Sequence, residues 1–157
     1  MMIRTEEGVL SSYNKILVAI DVTEDADAVV ATAQAIAQKN GSELHFLTAV
    51  TPVNYAYSGY DAGVAFTALA NFESEAHAAA LANLQARAKQ LGAPEDRVAV
   101  VLGKPANVVK EHASAMNTDL IVMGSHCRKG LGLLLGSTAN GVLHGAPCDV
   151  LIVRIED

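Results

Sequence analysis

Apolar runs alternate with helically spaced apolar residues along the chain. Lys15–Ile20, K-I-L-V-A-I, is nearly all apolar, as a strand buried on both faces of a parallel sheet reads. Asp21, Val22 and Thr23 follow, then Glu24 and Asp25. Thr23 can cap a helix whose acidic first turn complements the helix dipole. Ala26, Val29, Val30, Ala33, Ile36 and Ala37 recur at helical spacing, and Gly41 ends that helix. A second strand is expected over Glu43–Val50. A loop from Pro52 to Ala65 holds Tyr55, Tyr57 and Tyr60. From Phe66 to Leu91 the spacing predicts a long helix, with Phe72, Ala76, Ala80, Leu84, Ala88 and Leu91 on one face and Gly92 and Pro94 as its stop. Arg97–Leu102 reads as a third strand. Pro105 opens a helix carrying Val109, Ala113 and Met116. Asp119–Met123 reads as a fourth strand, a last helix begins near Ser137, and Asp149–Ile155 is a fifth strand.

This alternation of strand and helix implies one α/β domain, a parallel sheet with helices on both faces. Ligands of such sheets bind beyond the C-terminal strand ends, where strand order reverses. Strands one and four are the natural pair to flank that point. Asp21 follows strand one and Gly124 follows strand four, so these two positions are expected to converge.

Length and composition sharpen this. The 157 residues suffice for one full core. Residues 1–13 lack periodicity and read as a tail, leaving 14–157 as the domain. Aromatics make up 4% and tryptophan is absent, so the core is built from Ala, Val, Leu and Ile. A net charge of −6 disfavours the basic surface that nucleic-acid binding uses. No apolar run approaches the roughly 18 residues of a membrane span, and the N-terminal residues do not resemble a secretory signal. Cys127 and Cys148 show no metal or redox spacing. A cytoplasmic, reduced protein is expected.

The richest chemistry lies between Ile121 and Thr138, I-V-M-G-S-H-C-R-K-G-L-G-L-L-L-G-S-T. Strand, cationic glycine-bearing loop and helix start, in that order, offer backbone N–H groups to a phosphate. Gly124 either admits a ligand closely or simply turns the chain. Ser137 either meets a phosphate or caps the last helix, and both can hold. Cys127 fills a glycine-like place, narrows the phosphate path, or is a thiol activated by Arg128 and Lys129. Those two cations either neutralise phosphate or form a solvated loop tip. His126 reads as a loop residue. His45, His77, His112 and His144 fall on separate elements without ligand spacing, so no metal is assigned. Asp21 either faces a ligand from the strand end or is a turn or helix-start residue. A G-x-x-x-x-G-K-[ST] loop is absent. The terminal apolar strand presents a sheet edge that invites pairing with a second copy.

With these residues placed, the chain resembles the universal stress protein family. The likeness runs from Lys15 to Ile155 and includes the strand ending before Asp21, the strand ending at Val50, D-L-I-V-M-G-S-H, L-L-L-G-S-T and A-P-C-D-V-L-I-V. ATP-binding members carry G-x2-G-x9-G-[ST]. Here Cys127 stands at the second glycine, with eight residues between it and Gly136. The resemblance implies a Rossmann-like, adenine nucleotide alpha hydrolase-like fold, an open five-stranded sheet of strand order 3-2-1-4-5. It implies Ala19, Asp21, Val50, Met123, Gly124, Cys127, Gly136, Ser137 and Thr138 as nucleotide contacts. ATP or AMP is the implied ligand, with magnesium brought by the triphosphate. It further implies a homodimer through Val150–Ile155 and a role as regulator or sensor in the stress response. The alternatives are a dimeric interaction module that binds no nucleotide, and a slow ATPase.

Overall fold

Each apolar run becomes a strand and each periodic run a helix. The computed structural model describes residues 12–21, 26–52, 62–126 and 135–155. The elements are β1 (Lys15–Ala19), α1 (Ala26–Asn40), β2 (Glu43–Val50), α2 (Ala62–Gln90), β3 (Val98–Leu102), α3 (Pro105–Ala115), β4 (Leu120–His126), α4 (Ser137–Leu143) and β5 (Asp149–Ile155). All strand pairs are parallel, in the order β3-β2-β1-β4-β5. The order reverses between β1 and β4, as expected.

Strand alternation divides the core into two layers. Ile16 and Val18 face α1 and α2, packing with Val29, Ala33, Leu84 and Ala88. Leu17 faces the other way with Leu47 and Ile121, against Val109 and Ala113 of α3 and Val142 of α4. Both faces are covered, which is why Lys15–Ile20 shows no polar alternation. Ile16, Leu17 and Val18 are fully buried, each contributing about 1.5–3 kcal/mol of burial. At the sheet's N-terminal end the Asp119 carboxylate accepts hydrogen bonds from the amides of Asn14 (2.9 Å) and Lys15 (2.8 Å). Lys15 Nζ donates to the Met116 carbonyl at 2.9 Å, closing the end of α3. Gly41 ends α1 with φ of +68°, the left-handed turn that favours glycine there.

Two boundaries differ from the sequence reading by more than one residue. The long helix begins at Ala62 rather than Phe66, because an alanine-rich start continues helically with Gly63 confined to the first turn. β4 runs on to His126 instead of ending at Met123. Its pairing with β1 does stop at Ala19↔Met123. β5 continues on the other side, through Gly124↔Val153, Ser125↔Arg154 and His126↔Ile155, and holds those residues extended. Gly124 is therefore a strand residue. The capping place of Thr23 lies outside the described residues.

Candidate functional site

Where β1 stops and β4 continues, a cleft of about 180 Å³ opens at the C-terminal edge of the sheet. Ala19, Ile20 and Asp21 form one side, Met123 and Gly124 the other, and Leu47 and Ala49 of β2 extend the first. Ala26 and Val29 of α1 reach it from one face of the sheet, Pro105 and Val109 of α3 from the opposite face. Thr138 of α4 and Ile155 of β5 complete it. Asp21 is exposed, Thr138 half-buried and Met123 buried. Asp21 is the one charged side chain among the described lining residues.

The backbone beyond β1 is fixed by two hydrogen bonds. The Ile20 N–H donates to the Leu47 carbonyl at 3.0 Å, and the Thr48 hydroxyl donates to the Ile20 carbonyl at 2.8 Å. Successive peptides of a parallel strand face opposite neighbours. Since the Leu47 carbonyl faces β1, the Ala49 peptide faces the same flank, where β1 has ended. Val50 faces β3, and its carbonyl accepts the Gly103 N–H at 2.9 Å.

Two helix starts meet the cleft without side-chain caps. α3 begins with Pro105 after Lys104, which makes no capping hydrogen bond. α4 begins at Ser137 with Gly136 as its N-cap, also without a side-chain bond. Its first intrahelical bond runs from the Asn140 N–H to the Gly136 carbonyl at 3.0 Å. The amides of Ser137, Thr138 and Ala139 therefore have no acceptor within the helix.

Of the residues anticipated from sequence, the structure brings Ala19, Asp21, Met123, Gly124 and Thr138 to the cleft. Gly136 and Ser137 immediately precede Thr138, with Ser137 exposed as the first helical residue rather than the cap. Val50 does not line the cleft, and its neighbour Ala49 does. Cys127, Arg128, Lys129 and the tyrosines of the 53–61 segment lie outside the described residues. Gly124 is not among the positive-φ glycines. A Cβ there would stand 2.5 Å from Ile155 Cδ1 and 3.1 Å from Val29 Cγ2, so its place is taken by core side chains from β5 and α1.

Sequence reasoning missed Leu47, Ala49, Val109 and Ile155, which read as ordinary strand or helix positions, and Pro105, which read only as a helix start. Counting peptides along β2 from its register with β1 is the one signal that finds Ala49. The histidines are dispersed: His45 Nε2 lies 3.5 Å from Glu43 Oε2, His77 Nε2 3.1 Å from the Val100 carbonyl and His144 Nδ1 2.9 Å from the Asn140 carbonyl. No group of three His, Cys, Asp or Glu among the described residues is placed to hold a metal. No helix among them is long and apolar enough to cross a membrane.

Known proteins share both sequence and fold. A family model described as the universal stress protein family matches residues 12–154. Universal stress protein A homolog 2 of Coxiella burnetii is 36% identical over 148 residues, 94% of this chain and 99% of that protein. Universal stress protein Sll1388 of Synechocystis is 33% identical over 153 residues, covering 90% of this chain and 98% of the relative. Among solved structures, the universal stress protein UspA from Lactobacillus plantarum superposes with a TM-score of 0.75 at 25% identity, over 92% of this chain and 99% of that one. A universal stress protein in complex with cAMP superposes with a TM-score of 0.57 at 24% identity, over 93% of this chain and 100% of that one. The strand order, the residues carried from Lys15 to Ile155 and these matches place the chain in the universal stress protein family.

Proposed function

We propose that the chain binds an adenine nucleotide, ATP or AMP, in the cleft between β1 and β4, and acts as a cytoplasmic regulator or sensor in the stress response. The observation that carries this reading is the cleft itself. Among the described residues, apolar walls flank a single carboxylate, Asp21, at the point where strand order reverses, with uncapped helix starts nearby. Apolar walls suit a base, a carboxylate accepts hydrogen bonds from ribose hydroxyls, and free amides at a helix start receive phosphate.

Asp21 is the ribose contact in this proposal. The Ala49 peptide, which faces the cleft, takes the purine-edge role that the sequence reading gave to Val50. Ala19, Met123 and Gly124 flank the nucleoside, and Gly136, Ser137 and Thr138 receive phosphate. Cys127 belongs to the same phosphate segment, and magnesium arrives with the triphosphate rather than in a protein cage. That a universal stress protein of related fold was solved in complex with cAMP, a cyclic adenine nucleotide, supports this reading. The proposal is binding, not turnover. Phosphoryl transfer needs metal ligands beside the reacting phosphate, and Asp21 is the one carboxylate among the described lining residues.

A ligand that binds only the folded state raises stability. The melting temperature is expected to rise with millimolar ATP or AMP, and less so in Asp21→Ala. No shift at millimolar nucleotide overturns the reading and leaves the family's fold serving as a ligand-free interaction module.

A homodimer through Val150–Ile155 is the second part of the proposal. Among the described residues β5 pairs with β4 alone, and Val150, Leu151, Ile152 and Val153 are only half-buried. An apolar edge of this kind is completed by a second copy. Sedimentation at micromolar concentration is expected to give twice the 16.4 kDa chain mass; a monomer across the accessible range rules the dimer out.

A further inference from the structure

We infer that Thr48 is a positioning residue of the cleft: its hydroxyl occupies the Ile20 carbonyl, freeing the Ala49 amide for a ligand and setting the direction of the chain at Asp21. The inference rests on the nucleotide reading above, but its first consequence is visible without nucleotide.

Thr48 is 3% exposed, on a strand face otherwise occupied by Leu44 and Phe46. Valine has the same shape and would fill this space without introducing a hydroxyl. Most buried hydroxyls find a partner, and this one reaches the Ile20 carbonyl at 2.8 Å. That carbonyl is the last group of β1's side of the ladder. The Ile20 N–H donates to Leu47, so an unbroken parallel ladder would next bond the Ala49 N–H to the Ile20 carbonyl. No such backbone bond forms between these two residues, and the Thr48 hydroxyl donates there instead. Thr48 thus ends the β1–β2 ladder one step early. The released Ala49 amide lies on a cleft-lining residue, and the peptide held by Thr48 leads directly into Asp21.

The test compares Thr48→Val, which keeps the shape and loses the hydroxyl, with Thr48→Ser, which keeps the hydroxyl and loses a buried methyl. Without nucleotide, amide hydrogen exchange at Ala49 is expected to slow in Thr48→Val, as its N–H captures the Ile20 carbonyl. In Thr48→Ser it stays fast. In calorimetric titration with AMP, Thr48→Val is expected to bind about tenfold more weakly than wild type, the scale of one lost hydrogen bond. Thr48→Ser should stay within about twofold, whatever the order of the two melting temperatures. A purely structural role predicts that affinity follows melting temperature in both variants and that Ala49 exchange does not slow. Either outcome overturns the inference. If wild type binds no nucleotide, the nucleotide reading falls, while the Ala49 exchange still decides whether Thr48 ends the ladder.

Discussion

Ile155 occupies the space that a side chain on Gly124 would need. A Cβ at position 124 would lie 2.5 Å from Ile155 Cδ1, 3.4 Å from its Cγ1 and 3.1 Å from Val29 Cγ2. The end of Ile155 can swing aside, but Val29 is buried and blocks part of the escape. Gly124→Ala is expected to destabilise by about 1–2 kcal/mol, within the usual range of overpacking. Adding Ile155→Val removes the nearest methyl, so the double variant should lose less than the two single variants added together. Urea unfolding of the four proteins measures this, and strict additivity would count against the contact.

Gly141 makes a similar demand between two helices. It sits in α4, and a Cβ there would lie 2.8 Å from the Ala106 Cβ of α3. Alanine in a helix interior gains about 1 kcal/mol over glycine from propensity. Ala106 cannot rotate its Cβ away, so α3 or α4 must shift, at a cost of about 1–3 kcal/mol. Packing outweighs propensity at the middle of that range. Gly141→Ala is expected to lower the melting temperature by a few degrees, a loss of about 1 kcal/mol for a chain of this size. A rise on calorimetry would show that the helices separate freely.

Much of the fold was legible because each layer writes its own period. Lys15–Ile20 stands out as an apolar run, and Gly41 marks the end of α1 with the conformation its chemistry favours. The limit of β4 was not legible, because Gly124, Ser125 and His126 are held extended by pairing with Val153, Arg154 and Ile155. Nothing local to G-S-H records that pairing. The sequence reading named Val50, while its neighbour Ala49 lines the cleft, for a related reason. Sequence shows where β2 ends, but which peptide faces the cleft depends on register with β1 and β3. The place of Asp21 on the cleft was legible because it is topological, just after the strand at the reversal point. Leu47, Val109 and Ile155 were missed because a cleft wall of aliphatic side chains has the composition of a core.

Stability should fall on mild acidification. Burial holds the His45 and His112 imidazoles below their ordinary pKa. For His45, Arg97 and Lys15 push the same way, while Glu43 opposes them. The folded state therefore binds fewer protons than the unfolded state just below the unfolded value of about 6.5. The contribution of these groups is fully present above that value and is lost as pH falls through it toward the folded values. Urea midpoints are expected to drop between pH 7.5 and 5.5, with a shallower drop in His112→Gln. Equal slopes in both proteins would remove His112 from the account.

Cys148 is expected to be a slow thiol in the folded protein. Burial pushes its pKa up to about 11, with the Asp149 and Asp119 carboxylates adding to the effect and a backbone hydrogen bond involving Ile121 opposing it. Only the thiolate attacks a disulfide reagent, so at pH 8 roughly a thousandth of the molecules carry the reactive form. Cys127→Ser isolates the response of Cys148, the other of the two cysteines. Its labelling by an aromatic disulfide should be slow at pH 8 and quicken about tenfold per pH unit as the thiol titrates. Unfolding in urea at pH 8 should restore the speed of an ordinary thiol. Rapid labelling of the folded variant at pH 8 would mean that solvent and reagent reach the sulfur freely, contrary to its half-buried place beside Val150 and Ile152.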